Sequence, residues 1–538
     1  MKKQKTIISA ATALLLAFAL LLALPCSAEC LADEEFSQIP LNVNDADEDW
    51  DNNDEDFDDE DFDDEDDFYE DDEDDEDLSD ENRDTVPFTL SVQSGSDIGE
   101  VLDDALMEHA HVIIPAGTYS CQSIDFDGLD DSILEAEGAT ITGTYLGFGD
   151  SGKITLKGGI WEDAWLGLRG AANVELRPER LVIQGRTETH SVTITGAENL
   201  ILENIVCEQA CDDGFFISSS KNITLINPTV RDSYYFGIAL RNGSTATIEG
   251  GLVTTSGQRP QTSDIREDYK AGGLSVTEGS VCTVYDATFS KNVACGVAVA
   301  GNSKSKTSTV NLYGVQLLEN GDHGVGGNPY AVVNLDQSAT QRSLVEGNAH
   351  NGVQVIDTSS SDFIRGTDFR KNGQDGLSIA KGSTVKLVEN CTMSGNLWHG
   401  IKIRHDSVVK KINKCTITGN KGYGILLNCE KGTSKTSAVI TNSKLTKNTK
   451  DGLRLMGKKT SGSVKKCTIT GNKGSGIIVD AGSTLTEVSN TKSTGNSRYG
   501  LGVYAKCTVK KASGNTFTGN KKKQIYIVKG AKTTLKTK

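Results

Sequence analysis

Polar and apolar positions follow a helical period over only one short stretch of this chain. Residues 97–109 carry Ile98, Val101, Leu102 and Leu106 at helical spacing and predict a single amphipathic helix. Beyond it, short runs rich in Val, Ile, Thr and Leu alternate with Gly, Asn and Ser, as in residues 468–470, 476–479 and 484–488. The runs repeat. Cys391-Thr-Met-Ser-Gly-Asn-Leu-Trp-His-Gly400, Cys415-Thr-Ile-Thr-Gly-Asn-Lys-Gly-Tyr-Gly424 and Cys467-Thr-Ile-Thr-Gly-Asn-Lys-Gly-Ser-Gly476 share one template. Its asparagine recurs at 292, 320, 348, 372, 396, 420, 448, 472, 496 and 520, in steps of 24 or 28 residues. A glycine follows four residues later each time except the last, where Gln524 stands.

Units this short leave no room for crossover helices. They can wind into coils of three strands of about 24 residues, each coil stacking on the one before at about 4.8 Å. The pattern therefore predicts an all-β parallel β-helix, with residues 97–109 as an N-terminal capping helix over a first coil beginning Val112-Ile-Ile-Pro-Ala-Gly-Thr-Tyr119. Stacked asparagines can bond along the stack as an amide ladder and need no catalytic explanation. Cys391, Cys415 and Cys467 share a template position with Ser343, Thr367, Ser443 and Thr491, a ladder of small buried side chains. Neighbours at strand spacing are farther apart than a disulfide prefers, so packed free thiols are expected.

Charge adds a second layer. Residues 45–84 hold 28 Asp or Glu against Arg83 alone, a formal −27 in a chain whose total is −21. No core can form there, and residues 29–86 read as an acidic disordered segment. Residues 381–538 hold 31 Lys or Arg against 6 acids, which reads either as a well-solvated basic solenoid behind a soluble tether or as a basic surface for anionic polymers, for which the acidic segment would compete. Residues 1–28 open with Met1-Lys-Lys-Gln-Lys, continue with an apolar run over 7–24 and end at Ala28. They read as a secretory leader, implying a secreted or cell-surface protein, held at a membrane only if the leader is not cleaved. The expected domains are thus 1–28, 29–86 and 87–538, in a monomer without a nucleic-acid partner.

Following the repeat backwards locates candidate chemistry on one edge. Trp161 and Trp165 precede Gly167, His190 precedes Ser191, Asp212 and Asp213 precede Gly214, and Tyr234 and Tyr235 lie just before Gly237. The next turn swells over residues 257–270, the longest insertion in the repeat, and carries Arg266 and Lys270. His190 and Asp213 occupy one turn position in successive coils, roughly 5 Å apart. A carboxylate there is expected to raise the His190 pKa and orient the ring for proton transfer. Trp161, Trp165, Tyr234 and Tyr235 are the expected substrate-binding rings. Farther along the column, His323, Asp375, Trp398 and His399 read as a polar groove wall or as solvated turns.

A capping helix, the Ile-Pro-Ala-Gly-Thr-Tyr segment and Asn-x-x-x-Gly-Ile coils together resemble the pectate lyase superfamily, from about residue 88 to the end. That resemblance implies a right-handed parallel β-helix. Asp212-Asp213-Gly214-Phe215 is similar to the D-D-G segment of calcium-dependent pectate lyases. It implies that Asp212 and Asp213 hold Ca2+ against uronate carboxylates while Lys270 or Arg266 removes the C5 proton. Phe216 departs from the pattern, because that family places another acidic ligand there. The polygalacturonase pattern fits less well, since Tyr235-Phe236-Gly237 stands where G-H-G is expected, and the D-P-H motif of alginate epimerases is absent. The expected function is binding and processing of an acidic polysaccharide or cell-wall polymer by uronate β-elimination. The alternative is a non-catalytic, adhesin-type surface protein that binds glycans through its basic coils.

Overall fold

Every coil supplies one strand to each of three parallel sheets, as Thr460–Lys465, Thr468–Thr470 and Ile477–Asp480 do in turn. This is a computed structural model, and it describes residues 83–184, 190–258, 271–429 and 434–535. The leader, nearly all of the acidic segment, and residues 259–270 with Arg266 and Lys270 lie outside the described residues. The first, second and third sheets reach 20, 17 and 17 strands among the described residues. Pairing runs from coil to coil, for example Lys444 to Thr468 to Lys492 and Leu453 to Ile477 to Leu501. Strand alternation buries one face: Ile469 points into the axis while its neighbours Thr468 and Thr470 stay half-exposed. The core is consequently a stack of aliphatic rows along the axis, the parallel β-helix that the repeat predicts.

Two columns lock successive coils together. Each asparagine of the repeat donates its side-chain amide to the Oδ1 of the next, as Asn396 does to Asn420 at 2.9 Å and Asn420 to Asn448 at 3.0 Å. The same Oδ1 atoms also accept the backbone N–H of the preceding asparagine. The ladder ends on the residue that breaks the glycine pattern, because Gln524 Oε1 accepts both the backbone and side-chain N–H of Asn520. The glycine column answers a need for space. A Cβ at Gly352 would stand 2.6 Å from the Gly376 carbonyl oxygen, and one at Gly424 2.5 Å from that of Gly452.

Cys391, Cys415 and Cys467 are buried free thiols, each donating to the carbonyl two residues earlier. The capping helix spans Gly99–Glu108 and buries Leu102, Ala105 and Leu106. Val101, expected on the packed face, is 48% exposed. The buried stripe runs through Ile98, Leu102, Ala105 and Leu106, and Val101 flanks it on the solvent side. No described helix is long and apolar enough to cross a membrane.

Candidate active site

The turn between the second and third sheets builds a column at the residue just before each glycine, or before Ser191 in one early coil, and His190, Asp213, His323, Asp375 and His399 all stand in it. Its chemistry is shared. In coil after coil, the column side chain accepts the backbone N–H of the column residue in the next coil. His190 Nδ1 accepts from Asp213 at 3.3 Å, and Asp213 Oδ1 accepts from Phe236 at 2.8 Å. Farther along, His323 Nδ1 accepts from Asn351, Asn351 Oδ1 from Asp375, Asp375 Oδ1 from His399 and His399 Nδ1 from Tyr423, all at 2.9–3.1 Å. A neutral imidazole has one lone pair in its ring plane, so an accepting Nδ1 leaves the proton on Nε2.

That arrangement corrects two expectations. Asp375 and His399 are buried, at 2% and 8% exposure, and hold coils together instead of standing as solvated turns or an open groove wall. His190 is also held below the ordinary histidine range, not above it. Burial is the main cause and Arg241 adds to it, while Asp212 pulls the other way without prevailing. Asp213 moves oppositely: burial pushes its carboxyl up to about 7 and Asp212 adds to the push, against the Phe236 N–H and Arg241.

Around His190 the structure brings together several of the expected residues. Its Nδ1 lies 3.5 Å from Oδ2 of Asp212 and 3.5 Å from Oδ2 of Asp213. Asp213 is fully buried and its Oδ2 has no hydrogen-bond partner among the described residues. Asp212 is half-exposed. Neither aspartate has a positive φ, so left-handed turn geometry does not explain them. Phe216, in the third-sheet strand Phe215–Ser218, stacks on the His190 ring at 4.2 Å, and the Arg241 guanidinium lies 5.5 Å from the Phe216 ring centre. His190, Asp212, Phe216, Tyr234, Tyr235 and Arg241 line an open cleft of about 410 Å3. A second cleft of about 430 Å3 continues from Tyr235 and Arg241 over Ser275 towards Glu278 and Asn302. Tyr234 is exposed, and Tyr235 packs edge-on against Phe236.

Trp161 is not part of any surface. It sits inside strand Ile160–Glu162 of the second sheet, pairs with Ile141 and Leu181, and is fully buried, so it belongs to the core. Trp165 begins the next strand, partly buried beside Tyr145 and one coil before His190. His323 joins Asp322 and Cys295 in a small polar cavity farther along, where His350 Nδ1 meets Asp322 Oδ1 at 2.6 Å. Trp398 is half-exposed beneath Lys402.

The expected Ca2+ site can be tested against its donors. Calcium takes six to eight oxygens. Near Asp212 and Asp213 the third donor among the described residues is a nitrogen, His190 Nδ1, whose lone pair the Asp213 N–H already uses, and Phe216 occupies the place of a further acid. The described residues by themselves do not make a calcium cage.

Arg241 escaped the sequence reading, as did the row that forms the floor. Both are legible once the glycine column is aligned. The residue two places after each glycine points outward from the third sheet, giving Phe216, Ala239, Ser275, Ala298, Gly326, Gln354, Ser378 and Lys402 in register. From Ala239 to Gly326 these side chains are small, which hollows the sheet face between the turn column and the residues beyond it.

Comparison with known proteins follows this geometry. Solved structures similar to the chain include the periplasmic alginate epimerase AlgG, at 12% identity over 63% of this chain and 77% of that one, with a TM-score of 0.35. The A-module of mannuronan C-5 epimerase AlgE4 from Azotobacter vinelandii matches at 13% over 79% and 90%, with a TM-score of 0.30. The catalytic domain of a GH87 α-1,3-glucanase matches at 13% over 67% and 64%, with a TM-score of 0.34. No curated protein matches the chain in sequence. The model of the right-handed β-helix region matches residues 183–328, 272–433 and 380–537, more than half of the chain, and the protein belongs to that family.

Proposed function

We propose that the protein binds an acidic polysaccharide along the hollowed face of the third sheet and cleaves it by β-elimination at the His190 end. What supports this is the company of Arg241, Asp212 and the protonated Nε2 of His190 around one cleft. Gln258 and Ala271 border the longest insertion, and Gln258 N–H bonds to the Ser233 carbonyl in the coil of Tyr234 and Tyr235. In such a reaction Arg241 neutralises the uronate carboxylate, which acidifies the C5 proton. A base takes that proton, the C4–O bond breaks, and a C4=C5 double bond forms as the leaving oxygen is protonated. Lys270 is the base in this reading, with Arg266 as the other candidate on the same loop. His190 Nε2–H donates to a sugar oxygen, and the buried Asp213 holds the coil in place without touching substrate.

One observation favours a second reading, a non-catalytic glycan-binding protein. The Nδ1 atoms of His190, His323 and His399 are all spent on backbone N–H groups, so the imidazoles of the column act first as structural acceptors. An assay for unsaturated uronate products over pectate, alginate and glycosaminoglycans, with and without chelator, separates the two. Product lost in Lys270→Ala and Arg241→Ala but retained under chelation supports elimination as described. Binding without product from any substrate leaves the non-catalytic reading.

A further inference from the structure

The row of outward residues that carries Phe216 continues without a break in register past Lys402 to Leu426, Arg454, Ile478, Gly502 and Tyr526. Along these last coils the surface changes character. Lys402 Nζ lies 4.9 Å from the Trp398 ring centre and Lys450 Nζ 5.2 Å from that of Tyr423. Arg498 stands 5.7 Å from Tyr499, and Lys523 Nζ 5.4 Å from Tyr526. Tyr499 and Tyr526 stack on each other at 4.5 Å. The result is a strip of cations, each seated on an aromatic ring. A ring beneath a long side chain narrows its rotamers and holds the charge at a defined place.

Few acids offset the strip. Lys402 faces the buried Asp375 at 3.9 Å, and Arg454 is held between Asp451 and Asp480. Lys450, Arg498 and Lys523 are exposed and have no ion pair among the described residues.

We infer that this strip is a second docking track for the same acidic polysaccharide, in line with the His190 cleft and remote from it. The inference rests on the acidic-polysaccharide reading above. Phe216 and Lys402 are seven coil steps apart on one row, or about 34 Å at about 4.8 Å per coil, and Tyr526 is five steps farther. A coil step is close to the length of one sugar in an extended chain. An oligomer of four sugars in the cleft therefore falls short of the strip, whereas one of sixteen reaches across it. Once a long chain is held in the cleft, engagement of the strip is intramolecular and raises affinity without any new contact at the chemistry. The ring faces argue for carboxylates over nucleobases: single-stranded nucleic acid needs open aromatic faces for stacking, and here the rings carry cations or one another.

The test measures binding of the full chain to oligogalacturonates of four and of sixteen sugars at low salt. A triple variant, Lys450→Ser with Arg498→Ser and Lys523→Ser, is compared with a charge-preserving control in which both lysines become Arg, and circular dichroism checks the β signal of each. The wild type should bind the long oligomer at least about tenfold tighter than the short one. The triple variant should lose that advantage while binding the short oligomer unchanged, and the control should keep it. At 1 M salt, where the Debye length is about 3 Å, the advantage should disappear for all three. A folded triple variant that retains the long-chain preference overturns the inference, as does tighter binding of a single-stranded DNA of equal charge. If the four-sugar oligomer binds neither the wild type nor Arg241→Ala, while the charge-dependent long-chain binding persists, the cleft reading fails and the strip stands.

Discussion

The backbone N–H of Asp213 donates to Nδ1 of His190 across 3.3 Å, and this bond sets which His190 nitrogen carries the proton. It takes the lone pair that a general base would use, and it ties the site to the register of two adjacent coils. His190 is therefore a neutral donor at Nε2, and its protonation requires the bond to break.

Replacing His190 separates these roles. Asn accepts a backbone N–H at the same column position elsewhere, at Asn351. His190→Asn should keep the melting midpoint close to wild type, whereas His190→Ala leaves a buried N–H without an acceptor and should cost about 1–3 kcal/mol. Both should weaken uronate binding. Unchanged affinity for short oligouronates in the Asn variant would remove His190 from the proposed site.

Asp213 should make stability depend on pH in an unusual direction. Its folded pKa of about 7 lies above the 3.8 of an ordinary aspartate. Between those values the folded chain keeps a proton that the unfolded chain has released, so stability falls as pH rises through that window, at up to about 1.4 kcal/mol per unit. Asp213→Asn stays neutral and can still accept from the Phe236 N–H. Its denaturation midpoint should exceed that of the wild type at pH 8 and approach it near pH 4. A variant less stable than wild type at pH 8 contradicts this account.

His399 should act in the opposite sense. Burial, with Lys402, Lys450 and Arg404 nearby, pushes it down to about 3 from 6.5. As pH falls between those values the unfolded chain takes up a proton that the folded chain refuses, so stability is lost with acid. His399→Asn, which can still accept from the Tyr423 N–H, should lose less stability than wild type between pH 7 and pH 4, as read from urea midpoints at the two pH values. Equal losses would show that His399 does not titrate in this way.

The amide ladder predicts a contrast between its middle and its end. Asn420 accepts two hydrogen bonds from Asn396 and donates to Met393 O and Asn448 Oδ1. Asn420→Ala strands buried groups on both sides and should cost about 3 kcal/mol or more. Gln524→Ala removes an exposed side chain and uncovers only the last rung, Asn520, and should cost about 1 kcal/mol. In a stack with nearest-neighbour coupling, truncation after Lys473 should likewise leave the upstream coils folded apart from fraying at the new end. Wholesale loss of β signal on truncation would show that the stack behaves as one cooperative core.

Much of this molecule was legible in one dimension because its packing is nearly one-dimensional. When each coil touches only its neighbours, a fixed spacing in sequence becomes a fixed position in space. The Asn and Gly columns, the Cys391 to Cys467 ladder and the edge carrying His190, Asp212 and Asp213 could all be read from the repeat. Trp161 was misplaced because the repeat is irregular in the early coils, and shifting a position from turn to strand moves a side chain from the surface to the core.

What sequence spacing determined was which residues share a column; what only the tertiary structure decided was how each is protonated and what it faces. Burial depends on the coils above and below as well as on the residue itself, and it pushes Asp213 up to about 7 while holding His190 down. Arg241 reaches the Phe216 ring across the coil boundary, and the cations of the strip settle on rings contributed by their own or neighbouring turns. Those contacts turn on side-chain direction and on desolvation by many neighbours at once, and neither is encoded in the spacing of any single repeat.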